Sequence, residues 1–90
     1  MSEVERSVVI QNKYGLHARP AAEFVKAAHS FDCEVQVCKD DLEVNGKSIM
    51  GMMMLAAERG AEIVIRTSGR EAEAAMEKLV GLVTNRFGEE

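Results

Sequence analysis

Aromatic residues are scarce in this 90-residue chain, which has no tryptophan, one tyrosine and three phenylalanines. Its 11 lysines and arginines are outnumbered by 15 acidic residues, giving a formal net charge of -4, and they form no basic run. Nucleic-acid-binding domains usually combine a basic surface with aromatic side chains that stack on bases. The composition therefore argues against a nucleic-acid partner.

Cysteine is also scarce, because the chain contains only Cys33 and Cys38. The two lie an odd number of residues apart in a strand-like segment, where their side chains point to opposite faces, so an intrastrand disulfide is not expected. There is no CxxC motif and the two histidines are far apart in the sequence, so no metal site is predicted. We expect both cysteines to be small apolar fillers in a reducing compartment.

Long hydrophobic runs are missing as well. The longest apolar-rich stretch, residues 49–57, is far too short to cross a bilayer, and residues 1–6 are polar and acidic, unlike a signal peptide. Hydrophobic residues make up 47% of the chain and charged residues 29%, which is typical of a folded protein. We therefore predict one cytoplasmic domain over residues 1–90, without membrane insertion.

Strand and helix patterns alternate along the chain. Residue alternation and β-propensity predict strands over 4–10, 33–38, 42–44 and 61–67. Helical periodicity predicts helices over 18–28 and from 72 to near 86–88. Residues 48–57 fit either a buried strand or a short helix, and their methionines and leucine favour the helix. This order indicates an α/β sandwich in which one sheet face packs on the two longer helices.

The two longer helices carry local signals. Pro20 fits the first turn of the first helix. Ser68 is followed three residues later by Glu71, the capping-box pattern that predicts the start of the last helix. The buried face of the first helix is predicted to consist of Ala21, Ala22, Val25 and Ala28. The buried face of the last helix is predicted to consist of Ala72, Ala75, Met76, Leu79, Leu82 and Val83.

The heptapeptide Gly15-Leu16-His17-Ala18-Arg19-Pro20-Ala21 is the segment that points to chemistry. Gly15 allows a sharp turn, and His17 then falls at or next to the N-cap of the first helix. The N–H groups and positive dipole end of a helix start suit an anion, and Arg19 adds a fixed positive charge. Because imidazole can carry a transferable group near neutral pH, His17 is a candidate phosphohistidine. The alternative is an ordinary cap histidine beside a solvated arginine, and His29 is interpreted only as a cap or surface residue.

Motifs for substrate chemistry are not evident. The sequence shows no Ser/His/Asp order, no nucleotide-binding loop and no paired-carboxylate motif. A reactive histidine without a general base indicates a carrier that other enzymes load and unload, rather than an enzyme.

The same heptapeptide resembles the active-site signature of HPr, the histidine-containing phosphocarrier family of the bacterial phosphoenolpyruvate-dependent phosphotransferase system. A second segment, residues 45–55, resembles the regulatory serine region of that family, and the two motifs lie at the family's separation. The resemblance covers essentially the whole chain. It implies an α+β fold, an open-faced β-sandwich with a four-stranded antiparallel sheet and three helices on one face.

This resemblance implies that His17 is phosphorylated through Nδ1 and that Arg19 holds the phosphate and stabilises charge in the transition state. Enzyme I, charged by phosphoenolpyruvate, would donate the group, and an enzyme IIA domain of a sugar transporter would accept it. The family's relay needs no cofactor or metal on this protein, and we expect a monomer. Tyr14 replaces the small polar residue that the family often has there, which puts in doubt a side-chain hydrogen bond to the phosphate. A competing interpretation is a regulatory paralogue of a nitrogen-type phosphorelay that acts mainly through protein contacts.

The resemblance also implies a regulatory role for Ser48 as a phosphoserine. In some bacteria a bifunctional HPr kinase/phosphorylase modifies this serine, and the product hands over its histidine phosphate poorly and can act with a catabolite-control regulator. Helix N–H groups could hold a phosphate there, and its charge would repel acidic surfaces on enzyme I. A plain N-cap serine is the alternative.

A methionine-rich cluster follows Ser48. Methionines at helical spacing usually belong to a core, but a short helix cannot bury every face, and exposed flexible methionines suit a surface that docks several partners. The better core candidates are Met52 and Leu55. By resemblance, the docking patch beside His17 consists of Ala18, Ile49, Met50 and Met53.

Overall fold

Strands and helices are interspersed along the chain in the computed structural model, which describes residues 2–89. Met1 and Glu90, the two ends of the predicted domain, lie outside the described residues. The strands are β1 (Ser2–Val9), β2 (Glu34–Lys39), β3 (Leu42–Asn45) and β4 (Glu62–Gly69). The helices are α1 (Ala18–His29), α2 (Ile49–Met54) and α3 (Ala72–Thr84), and a 3-10 turn follows at Arg86–Gly88.

The four strands form one antiparallel sheet in the order β1-β4-β2-β3. Alternation in β4 separates the two faces, because Ile63, Ile65 and Thr67 are buried whereas the residues between them are partly exposed. On the open face, the Arg66 guanidinium makes ion pairs with Glu5 at 3.1 Å and Glu43 at 3.2 Å. The predicted fold, a four-stranded antiparallel sheet with three helices covering one face, is confirmed.

The core lies between the sheet and the helices. It includes Ile63 and Ile65 of β4 and Leu79 of α3, all fully buried. The predicted inner face of α1 is wrong at one position, because Ala22 is exposed and Phe24 is fully buried in the stripe that faces the sheet. The buried residues of α3 are Ala72, Ala75, Met76, Leu79 and Val83, while Leu82 is half-buried.

The predicted capping box at the start of α3 is wrong. Ser68 belongs to β4, where it pairs with Glu3 on one side and Glu34 on the other, so its backbone is already committed to the sheet. Glu71 is the N-cap of α3, and its side chain makes no cap hydrogen bond. Instead, a carboxylate oxygen of Glu71 accepts the backbone N–H of Asp32 at 2.7 Å. Strand pairing has overridden the local helix-start signal.

The ambiguous methionine-rich segment is a helix. Ser48 is its N-cap, and the Ser48 Oγ accepts the backbone N–H of Gly51 at 3.0 Å. Met52 and Leu55 are buried, as predicted, and they attach α2 to the core. The remaining large side chains of α2 therefore face away from the core.

Helices α1 and α2 pack side by side in opposite directions. The Nε2 of His29, at the end of α1, lies 2.9 Å from the carbonyl oxygen of Lys47, just before α2. At the other end, the Leu16 N–H donates to the carbonyl oxygen of Ala57 at 2.9 Å. The start of α2 is therefore near the end of α1, and the chain after α2 is near the start of α1.

Both cysteines are free and half-buried, and burial raises the pKa of each thiol. Residues 2–89 contain no cluster of three or more histidine, cysteine or acidic side chains that could hold a metal ion. Within the same residues, no helix combines the length and apolar character needed to cross a membrane.

Gly15 is the position where a side chain would be least tolerated. Its φ of +67° favours glycine, and a Cβ built there would lie 2.3 Å from the carbonyl oxygen of Ala57. We expect Gly15→Ala to lower the free energy of unfolding by at least about 2 kcal/mol, from backbone strain plus this clash. Urea denaturation monitored by circular dichroism measures the change.

Gly81 offers the matched control, because it lies in α3 and a Cβ there would meet no atom within 4 Å. Gly81→Ala should raise the free energy of unfolding by about 0.5–1 kcal/mol through helix propensity. Equal midpoints for Gly15→Ala and the wild type would contradict the argument.

Candidate functional site

His17 lies at the point where the loop after β1 becomes α1. It is the N-cap residue, with extended backbone angles, and its carbonyl oxygen accepts the N–H of Ala21 at 3.0 Å to begin the helix. Its imidazole makes no cap hydrogen bond, so the ring is available to other partners. The side chain is 40% exposed, enough for a second protein to reach it.

The loop before His17 is held by backbone contacts and one buried amide. The N–H of Gly15 donates to the carbonyl oxygen of Asn12 at 3.1 Å. In return, the Nδ2 of Asn12 donates to the carbonyl oxygen of Gly15 at 2.7 Å, and Asn12 is fully buried. Together with the Leu16–Ala57 bond, these contacts fix the backbone from which the His17 ring projects.

Glu89 places a carboxylate against the His17 ring. The Nε2 of His17 lies 3.0 Å from one carboxylate oxygen of Glu89 and 3.1 Å from the other. Asn12 Nδ2 donates to Oε1 at 3.1 Å, and Arg19 Nη1 lies 3.4 Å from Oε2. The hydrogen bond from His17 is the main cause that lowers the pKa of Glu89; Asn12 and Arg19 lower it further, whereas burial opposes them. Glu89 is therefore an ionised carboxylate at neutral pH.

A tight turn after α3 brings Glu89 to this position. Arg86, Phe87 and Gly88 have left-handed φ angles of 57°, 52° and 73°. Phe87 is buried in the core, and the Glu89 N–H donates to the carbonyl oxygen of Arg86 at 2.8 Å. The buried phenylalanine thus anchors the end of the described chain beside the start of α1.

Sequence reasoning missed both Glu89 and Asn12. Glu89 is 72 residues from His17, and nothing local in the sequence reveals that pairing. The sequence predicts only that the last helix ends near residues 86–88, and it indicates no role for Asn12. The sequence signal that could have revealed this contact is Phe87. An apolar residue that follows the last helix can be buried in the core, and the residues next to it are then held against the domain.

The surface beside His17 suits an anion. A cavity of about 390 Å³ is lined by Lys13, Tyr14, Arg19 and Glu89, so its two cationic side chains outnumber its one carboxylate. The start of α1 contributes the positive end of the helix dipole. Tyr14 is exposed, and its ring stands edge-on to the His17 ring, with centroids 6.2 Å apart. Tyr14 therefore forms one wall of the site through its ring.

The other predicted site residues occupy the surface of α2 and the start of α1. Ile49, Met50 and Met53 are 45%, 71% and 42% exposed, and Ala18 is exposed beside His17. Met54, which the predicted patch omits, is also exposed at 63%. Ile49, Met50, Met53 and Met54 therefore give α2 an exposed apolar surface.

Ser48 does not lie beside His17. Because α2 runs opposite to α1, Ser48 is near the far end of α1, close to His29 and Lys47. The 12 residues of α1 span about 18 Å. The two predicted phosphorylation sites are therefore at opposite ends of α1, with the exposed face of α2 between them.

Comparison with known proteins decides the family. Residues 4–85 match the family described as "PTS HPr component phosphorylation site". The chain belongs to the HPr family. The HPr phosphocarrier of Neisseria meningitidis serogroup A is 48% identical over 86 residues, which cover 96% of this chain and 97% of that protein.

Solved HPr structures share the fold. The crystal structure of HPr-C-His from Thermoanaerobacter tengcongensis has a TM-score of 0.91 at 46% identity, covering 100% of this chain and 99% of that one. HPr from Bacillus anthracis has a TM-score of 0.87 at 44% identity, covering 92% and 99%. The resemblance inferred from the two sequence motifs is confirmed, and HPr-family membership implies a phosphocarrier of the phosphotransferase system.

Proposed function

We propose that this HPr-family chain carries a phosphoryl group on Nδ1 of His17, taking it from enzyme I and passing it to enzyme IIA of sugar transporters. The observation that supports this most directly is the arrangement of the ring. Glu89 engages Nε2, which leaves Nδ1 as the nitrogen for transfer, and the ring is exposed enough for a partner to approach.

The groups around His17 favour transfer of a phosphoryl group to and from the ring. Arg19 is 63% exposed, and it contacts Glu89 through a single nitrogen at the long distance of 3.4 Å. Its guanidinium can therefore turn to the phosphoryl oxygens. The start of α1 adds partial positive charge. These groups stabilise the negative charge of the transition state and leave the phosphoryl group open to an acceptor.

The geometry suits a carrier better than an enzyme with its own small substrate. The cavity beside His17 has exposed Tyr14 and Arg19 in its lining, so a reacting partner must complete the site. A carrier of this kind acts as a monomer in the cytoplasm and needs no cofactor.

We expect enzyme I and labelled phosphoenolpyruvate to label this protein with an acid-labile, base-stable bond, as phosphohistidine chemistry requires. His17→Ala should abolish the label, whereas His29→Ala, which changes the other histidine, should retain it. Acid-stability assays and mass spectrometry measure both. Persistent label in His17→Ala would exclude the assignment.

The identity of the acceptor separates the sugar relay from the alternative, a regulatory paralogue of a nitrogen-type phosphorelay. The phosphorylated protein is offered separately to a sugar-specific enzyme IIA and to a nitrogen-type acceptor. Transfer to the sugar acceptor supports the proposal, and transfer only to the nitrogen-type acceptor favours the paralogue.

We propose that Ala18, Ile49, Met50 and Met53 form the patch that docks both partners. Ile49, Met50 and Met53 are exposed on α2, which is attached to the core through buried Met52. Flexible methionine side chains can adapt to partners of different shape. Because residues after α2 bond to the loop that carries His17, a partner on this patch approaches the ring from a defined direction.

Met50→Lys should raise the KM of enzyme I for this protein roughly tenfold, or about 1.4 kcal/mol, because it places a charge in an apolar contact. The value of kcat should change little. Val9→Lys is the matched control, since Val9 is 44% exposed on the edge strand opposite β3. Steady-state kinetics with enzyme I compares them, and an equal KM for both variants would contradict the proposed patch.

We propose that Ser48 is a regulatory phosphorylation site that acts on docking rather than on His17 directly. Ser48 lies at the end of α2 remote from the start of α1, beside exposed Ile49 and Met50. A phosphate there adds about two negative charges to the edge of the patch. That charge opposes contact with an acidic or apolar partner surface.

Incubation with HPr kinase/phosphorylase and ATP should add one acid-stable phosphate to the wild type and none to Ser48→Ala. Ser30→Ala is the matched control, because Ser30 is also an exposed serine at a helix end. Phosphoserine at position 48 should slow labelling of His17 by enzyme I. Mass spectrometry and labelling rates test this, and unchanged labelling would contradict the regulatory role.

A further inference from the structure

Both carboxylate oxygens of Glu89 contact the same nitrogen of the His17 ring. They lie 3.0 and 3.1 Å from Nε2. An ionised carboxylate can only accept hydrogen bonds, so Nε2 must carry a proton in this contact. In a neutral imidazole the other nitrogen, Nδ1, then holds the free lone pair.

We propose that Glu89 is a positioning residue that holds the Nε2–H form of His17 and so presents Nδ1 as the nucleophile. The proposal rests on the proposed function, because it concerns the same phosphoryl transfer. A carboxylate that orients an imidazole through one nitrogen, while the other reacts, is a recurring arrangement at reactive histidines.

The transfer step balances with this assignment. The lone pair of His17 Nδ1 attacks phosphorus, the bond from phosphorus to the donor protein's leaving atom breaks, and its electron pair returns to the donor. Nε2 keeps its proton, so the ring of the product carries a positive charge. The adjacent Glu89 carboxylate neutralises that charge, and reversal of the same step delivers the phosphoryl group to an acceptor.

Asn12 makes the carboxylate a fixed group. The buried Asn12 amide donates to Glu89 Oε1 and to the carbonyl oxygen of Gly15, so one side chain links the carboxylate to the loop. The Glu89 side chain is itself only 13% exposed. These contacts set the direction from which the carboxylate meets the ring.

An alternative interpretation is that the Glu89 carboxylate occupies the place of the phosphoryl group and so blocks the site. Its position at Nε2 argues against that interpretation, because the proposed site of transfer is Nδ1. The contact to Arg19 is the longest of the set at 3.4 Å, so Arg19 is free to leave it.

Glu89→Ala and Glu89→Gln test the proposal, with Glu77→Gln on the exposed face of α3 as the matched control. Ring ¹⁵N shifts of neutral His17 should show the pure Nε2–H form in the wild type and control, and a mixture of both forms in Glu89→Ala. Glu89→Ala should also accept phosphoryl groups from enzyme I with a kcat/KM lowered roughly tenfold. Glu89→Gln, whose amide oxygen can still accept from Nε2–H, should recover part of both losses.

Wild-type ring shifts or a wild-type kcat/KM in Glu89→Ala would overturn the proposal. If the wild type is still labelled on His17, the proposed function remains intact in that case. Absence of any label in the wild type would instead overturn the proposed function, and this inference with it. Thermal melts of all variants confirm that each is folded when measured.

Discussion

The contact between the backbone of Gly15 and that of Ala57 is the constraint on which the site depends. A Cβ at Gly15 would lie 2.3 Å from the Ala57 oxygen, and the next residue, Leu16, donates its N–H to that oxygen. The contact joins the loop that carries His17 to the segment after α2. The His17 ring and the exposed face of α2 are therefore held in a fixed relative position. The proposed carrier function needs this if different partners are to find the same ring in the same place.

Much of the fold could be predicted from the sequence, since apolar patterns mark each strand and both long helices. Local signals failed where a long-range contact was stronger. Ser68 and Glu71 have the form of a helix start, yet pairing on both sides keeps Ser68 in the sheet. Ala22 has the right spacing for the inner face of α1, but the larger Phe24 occupies that place in the core. Single-sequence patterns record propensities, whereas packing decides between residues that satisfy the same pattern.

The candidate site likewise has residues that the sequence predicts and residues that only the folded structure reveals. His17 and Arg19 could be predicted as site residues because both lie in one seven-residue motif, and that motif falls at a predicted helix start. Glu89 could not, because its carboxylate meets the ring only after the chain end has folded back over buried Phe87, and Asn12 takes part only through its hydrogen bond to that carboxylate. The first pair supplies the ring and the positive charge on which the proposed phosphoryl transfer rests. Of the second pair, Glu89 contacts the ring nitrogen Nε2, and Asn12 links this carboxylate among the last described residues to the loop after the first strand.

The pairing of β1 with β4 has a consequence for how the protein reaches this state. Ser2 pairs with Gly69 and Val9 with Glu62, so the first strand finds its place only when the fourth is available. Closing loops of this length is entropically costly and slows folding relative to local contacts. The loop with His17 directly follows β1, and its carboxylate partner lies beyond α3. A nascent chain would therefore hold its motif early but gain the organised ring late, in nearly the same step as the complete sheet.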